Sequence, residues 1–272
     1  LEKIEDLISR KRYAELRDLL LPLEAQDIAG LFMELDDKVP MVFRLLPKEQ
    51  AAEVFVELDS EEQEVLIQSF SNTELKEVLD ELYLDDAVDI VEEMPANVVK
   101  RILRHADPDV RKSINEILKY PDDCAGSIMT TEYVDLKATM TVEDALKRIR
   151  RTGPDKETIN ICYVIDEGRH LLGYLSIRTI LLSEEDDVVG DIMDTHVIKA
   201  VTTDDQEEVA ESFRKYALLS LPVVDHENRL VGIVTVDDVV DVMEQEATED
   251  FEKMAAMLPS EKPYLKNCLL YT

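Results

Sequence analysis

Apolar residues recur every three or four positions through the first 120 residues, and the pattern breaks about every dozen residues. Ile4, Leu7, Ile8, Leu16, Leu19 and Leu20 open the series on a helical period. There follow LPLEAQDIAGLFMEL from Leu21, DDKVPMVFRLL, LPKEQAAEVFVELDS from Leu46, SEEQEVLIQSF, NTELKEVLDELY, LDDAVDIVEEM, PANVVKRILRHA and DPDVRKSINEIL. Each opens at or beside Pro, Asp, Ser or Asn, the residues suited to a helix cap or first turn. Helices this short cannot each bury a face alone. Residues 1–120 therefore read as a helical-repeat superhelix, with an irregular bundle as the alternative.

The texture changes around Tyr120. KYPDDCAGSIM, with Pro121 and Gly126, reads as a linker, and the chain then repeats itself once at long range. Ile128-Met129-Thr130 is echoed at Ile192-Met193-Asp194, and TMTVEDALKRIRR (139–151) by TTDDQEEVAESFRK (202–215). ICYVIDEGRHLLGYLSIRTIL (161–181) is echoed by SLPVVDHENRLVGIVTVDDVV (220–240). Each half runs strand, polar turn, strand with Gly173 or Gly232, then helix. That predicts an α/β domain of two similar halves.

The last helix predicted, from Val236, places Val236, Val239, Val240, Met243, Ala247, Phe251, Met254 and Leu258 on an apolar face. Its other face is carboxylate: eight acids and no Lys or Arg between Asp237 and Glu252. Like charges at i, i+3 and i+4 cost a helix roughly 0.2–0.5 kcal/mol per pair. A solvated face is the ordinary explanation of such a run; with no bases interleaved, a divalent cation is the simplest source of compensating charge.

Composition sharpens this picture. Sixty-one acids against 30 bases give 272 residues a net charge of −31. That opposes nucleic acid and anionic lipid, and it favours cations or basic partners. Cys124, Cys162 and Cys268 form no CxxC pattern and read as reduced thiols. No apolar run exceeds five residues, so nothing in the sequence given reads as a membrane span. The abrupt start at Leu1 and end at Thr272 suggest a piece of a longer chain.

Four histidines, never paired at i, i+4, give no zinc pattern, and no loop has the EF-hand spacing. Mg²⁺ asks for less, because it keeps several waters and accepts one or two carboxylates. Acids suited to it include Asp85 and Asp89 at i, i+4, and Asp204, Asp205, Glu207 and Glu208 at a helix start, where the helix dipole also welcomes acids. No GxSxG, no GxxxxGK[ST] and no evident nucleophile–His pair is present, so the chain does not read as an enzyme.

The repeated pattern IM…TVxxAL…VVD…LxG resembles a tandem pair of cystathionine-β-synthase (CBS) motifs over about 128–246. The wider order resembles the cytosolic part of MgtE-type magnesium channels: helical N domain, AGSIM, CBS pair, then GIVTVDDVVDVMEQEATED. The resemblance implies an α + α/β chain with an N domain over 1–120 and a tandem CBS domain over 127–246, in halves 127–186 and 190–246. An acidic connecting helix over 236–258 and a membrane-entry segment over 259–272 complete it.

It further implies several weak Mg²⁺ sites, with ligand roles for Asp85, Asp89, Asp205, Glu207, Asp238, Asp241, Glu246, Glu249 and Asp250, and more weakly Glu53. A position acidic in relatives, just before the LPVVD strand, falls on Ala217 here. It also implies a homodimer through the CBS domain, a pore domain of the same protein as partner, and a place on the cytoplasmic face of the membrane. CBS pairs often hold adenosine phosphates, which makes ATP a second ligand and a nucleotide-sensing adaptor the alternative reading. The usual Ser/Thr followed by Asp three residues on is present at Thr235 and Asp238, but Ser176 is followed by Thr179. Arg178 is a candidate to face a phosphate, with an ordinary surface arginine as the alternative.

Overall fold

The computed structural model describes residues 2–35 and 38–254, which fall into two compact units, 1–115 and 116 onward. The first is a run of short helices: α1 (Glu2–Ser9), α2 (Tyr13–Leu20), α3 (Ala25–Phe32), α4 (Val39–Phe43), α5 (Lys48–Val56), α6 (Ser60–Ser69), α7 (Asn72–Leu79), α8 (Leu84–Glu93), α9 (Ala96–His105) and α10 (Pro108–Ile117). The single opening period of the sequence is two helices, because Lys11 turns left-handed at φ 56° and the Arg12 N–H returns to the Leu7 carbonyl at 2.9 Å.

Starts of these helices follow local chemistry. Asp59 accepts the Glu62 N–H at 3.0 Å, and Ser71 forms a reciprocal capping box with Glu74. Alternate helices stack, α3 on α5 on α7 on α9, with α4 on α6. Phe32, Phe43, Phe55 and Phe70 fill the space between them, with Phe43 and Phe70 centroids 5.3 Å apart. Burying each of these rings is worth about 1.5–3 kcal/mol. Two arginines add to the local cap at the C-terminal end of α6. Arg101 donates to the Ile67 and Phe70 carbonyls, and Arg44 to the Ser69 carbonyl at 2.9 Å.

The second unit contains two three-stranded sheets. β1 (Val134–Lys137), β2 (Ile161–Ile165) and β3 (Leu171–Ser176) form one, with α11 (Val142–Thr152), α12 (Ile177–Leu182) and α13 (Val189–Ile192). The other has β4 (Ala200–Val201), β5 (Ser220–Val224) and β6 (Leu230–Thr235), with α14 (Gln206–Tyr216) and α15 (Val236–Met254). In each sheet the first pair is parallel and the second antiparallel. Register matches as well: Ile161 opposes Ser176, Ser220 opposes Thr235, and both ladders slip one residue before their last pair.

The two halves are interlocked. Thr130, near the start of the first half, bridges Ile233 on β6, and Asp194, near the start of the second, bridges Tyr174 on β3. Gly173 and Gly232 make room for this. A Cβ on Gly173 would lie 2.6 Å from the Asp194 carbonyl oxygen, and one on Gly232 2.8 Å from that of Thr130. Tyr133, Tyr163, Leu171, Val224, Leu230 and Ile233 form a core shared by both halves. Cys124 and Cys162 are free and buried, and burial pushes the Cys162 thiol up to about 12. No described helix is long and apolar enough to cross a membrane.

Candidate metal centre

α15 grows out of β6 through a turn closed by Thr235. Its Oγ1 donates to Asp238 Oδ2 at 2.7 Å and makes a shorter contact with Asp237 Oδ1, and its N–H reaches Asp238 Oδ2 at 3.3 Å. Asp238 is thus a turn acceptor at a helix start, half-buried, whereas Asp241 is exposed. The buried stripe of α15 differs from the one the periodicity predicts. Val239 and Val242 pack into the core beside α14, while Val236, Val240, Met243 and Phe251 are exposed. The neighbouring helix selects which flank is covered, and the period alone does not fix that. The side chains of Glu249, Asp250 and Met254, together with Leu258 and the segment 259–272, lie outside the described residues.

α14 begins at Asp205, whose Oδ1 accepts the Glu207 N–H at 2.8 Å. Both side chains are exposed. Asp205 therefore serves as a helix N-cap, with its charge still toward solvent. Glu246 is half-buried and accepts from Gln206 Nε2 at 2.9 Å, a partner the sequence did not suggest.

In the helical unit, α8 separates its predicted pair by burial. Asp85 is buried at 9% exposure and accepts the Asp86 N–H at 3.1 Å, while Asp89 is exposed. Glu53 is exposed on α5. Among the described residues, no three His, Cys, Asp or Glu side chains come together as a group that could hold a metal ion. Exposed single carboxylates still suit a hydrated Mg²⁺, which takes one or two of them and retains its waters.

A pocket of about 300 Å³ opens between β2 and β5, lined by Tyr163, Tyr174, His196, Leu218, Ser220 and Pro222 among others. Burial raises the Tyr174 phenol, with Asp194 adding to the effect, while the His196 N–H holds the Asp194 carboxyl below its usual range. Ile161 and Ser220 line the pocket and pair with Ser176 and Thr235, so it adjoins both helix-start turns. Arg178, Thr235 and Asp238 themselves are not among its lining residues. At the first turn, Ser176 Oγ accepts the Thr179 N–H at 3.0 Å, with no carboxylate at that position. Ala217 ends α14 in a left-handed conformation, φ 51°.

The sequence matches the MgtE intracellular N domain over residues 23–123 and the CBS domain twice, over 125–185 and 189–245. It is 43% identical over 247 residues to the magnesium transporter MgtE of Thermus thermophilus, covering 89% of this chain and 55% of that protein. The magnesium transporter MgtE of Bacillus subtilis is 35% identical over 251 residues, 92% of this chain and 56% of that protein. The chain thus spans about half the length of these curated relatives. Among solved structures, the cytosolic domain of the Mg²⁺ channel MgtE in complex with ATP superposes with a TM-score of 0.84 at 40% identity. The match covers 88% of this chain and 98% of that one. The soluble part of a magnesium transporter superposes with a TM-score of 0.82 at 30% identity, covering 90% and 97%.

Proposed function

The chain belongs to the MgtE family of magnesium transporters, and from that premise we propose that it is the magnesium-sensing regulatory region of such a transporter, closing on Mg²⁺ to gate ion flux across the membrane. The observation that supports this best is α15, a helix leaving the CBS pair with acids throughout and no base between Asp237 and Glu252. Acidic surfaces approaching within the ~8 Å Debye length of physiological salt feel largely unscreened repulsion. Mg²⁺ relieves that repulsion through the acids of α8, α14 and α15, Asp89, Asp205, Glu207, Asp238 and Asp241 foremost, with Asp85, Glu53, Glu246, Glu249 and Asp250 as further contributors. Because the ion favours the closed form, closure follows free Mg²⁺ by linkage, and several weak sites make the response steep. The role is regulatory, not catalytic. It places the chain on the cytoplasmic face of the membrane, where α15 carries closure to a pore domain of the same protein.

Small-angle scattering across a Mg²⁺ series at fixed ionic strength tests this. The radius of gyration is expected to fall with Mg²⁺ and not with matched Na⁺. An unchanged radius, or an equal response to Na⁺, would leave the acids as a solvated surface only.

ATP is a second ligand, supported by the pocket between β2 and β5 and by the ATP complex of the related cytosolic domain. With Thr179 where an acid would meet the ribose hydroxyls, binding is weak and at most one ATP per chain. Tight binding at two sites in calorimetry would contradict it. The adaptor alternative, acting on a partner protein through nucleotide alone, predicts compaction by ATP without Mg²⁺. Assembly is a homodimer through the CBS domain, supported by the exposed apolar stripe of Val236, Val240 and Met243 and by Leu181 and Leu182 on α12.

A further inference from the structure

Gln206 is a polar side chain buried at 6% exposure in the first turn of α14. Its amide nitrogen has two hydrogens to donate and meets two carboxylates, Glu246 Oε1 at 2.9 Å and Asp123 Oδ1 at 3.4 Å. The reverse amide orientation would aim a carbonyl oxygen at both acids, so electrostatics selects this one. The Gln206 N–H also donates to the Asp123 carbonyl at 3.0 Å.

Those two acids come from opposite ends of the CBS pair. Asp123 belongs to the segment leading in, and it is held left-handed at φ 58°, a conformation Asp tolerates better than most residues. Two further bonds pin the same segment, the Ala125 N–H to the Asp204 carbonyl at 2.8 Å and the Gly126 N–H to that of Thr202 at 2.9 Å. Glu246 lies on α15, the helix leading out. A neutral amide therefore links two carboxylates that a chain of net charge −31 would otherwise leave to repel.

We infer that Gln206 is a positioning residue that locks the segment entering the CBS pair to the helix leaving it, without metal, so that a displacement of one is passed to the other. The use of this lock in gating rests on the magnesium-sensing reading, whereas the lock itself does not. It also gives Glu246 a definite task, with Oε1 committed to the amide.

Hydrogen exchange of the whole chain in EDTA tests the lock, following 120–128 and 240–250 in the wild type, Gln206→Leu and Gln206→Lys. Leucine fills similar volume and donates nothing, while lysine offers charged donors to both acids. In the leucine variant, exchange in both segments should rise about tenfold, the scale of a lost hydrogen bond to a charged group. In the lysine variant it should stay at the wild-type rate, and β5 and β6 should be unchanged in both. Wild-type exchange of either segment in the leucine variant overturns the lock. Equal loosening by leucine and lysine, or a rise across every peptide in both, reduces Gln206 to a packing or folding role. EDTA removes divalent metal, so these outcomes are independent of the magnesium response read by scattering.

Discussion

The hydroxyls of Tyr163 and Ser220 lie 2.7 Å apart, buried at the seam where β2 of the first CBS motif meets β5 of the second. Burial pushes the Tyr163 phenol up, and the bond to Ser220 only partly offsets that, so the seam favours the neutral phenol. A neutral hydroxyl pair lets each group bond the other at no charge cost.

Tyr163→Phe keeps the ring, which meets Tyr133 edge-on at 6.5 Å, and leaves the Ser220 hydroxyl without this partner. Leaving a buried polar group unsatisfied costs about 1–3 kcal/mol. Denaturant unfolding should show a loss of that size, with the slope unchanged. A loss below the error of extrapolation would mean water replaces the tyrosine.

Two glycine-to-alanine changes should have opposite signs. Gly30 on α3 has nothing within 4 Å of an added Cβ, so Gly30→Ala should stabilise the chain by up to about 1 kcal/mol. Gly232→Ala would set a Cβ 2.8 Å from the Thr130 carbonyl oxygen and should destabilise instead. Thermal midpoints of the two variants measure both effects, and equal shifts would refute the crossed arrangement of the leading segments.

Glu74 is held near 2 rather than 4.5, first by its hydrogen bond from Arg44 and then by the Ser71 N–H. A carboxyl lowered in the folded state adds stability fully present above its unfolded value and lost as pH falls through the folded one. The thermal midpoint of the helical unit should therefore decline between about pH 4.5 and 2, and less steeply in Glu74→Gln. Parallel declines would place the acid sensitivity elsewhere.

The proposed dimer puts Val240, 55% exposed, against a second copy. Val240→Asp should return sedimentation from about twice the chain mass to one chain, since a buried unpaired carboxylate is costly. A wild type that sediments as a monomer in millimolar Mg²⁺ would dismiss the dimer itself.

Thr179→Asp supplies the acid that the first motif lacks. Calorimetry should show tighter ATP binding in the variant, with the introduced carboxylate meeting the ribose hydroxyls. Unchanged affinity would place any nucleotide away from the Ser176 turn.

Features that depend on neighbours along the chain were legible in the amino-acid order alone. Short helices opening at Ser60 and Asn72, the strand–turn–strand–helix repeat, and the acid-only face of α15 are of this kind, because caps and periodicity act over three or four residues. So was the family, through GIVTVDDVVDVMEQEATED and the two registered motifs. Features that depend on partners far off in sequence came only from the folded chain. It gave the IMT and IMD segments to each other's sheets, since the repeat shows that they correspond but not whose edge they pair with. It buried Val239 of the predicted stripe together with Val242, and left Val236, Val240 and Met243 exposed, because α14 lies on that flank. Gln206, which nothing in the amino-acid order singles out beside Asp205 and Glu207, bridges Asp123 and Glu246. Those partners lie 83 and 40 residues away, and a hydrogen bond between them leaves no periodic trace along the chain.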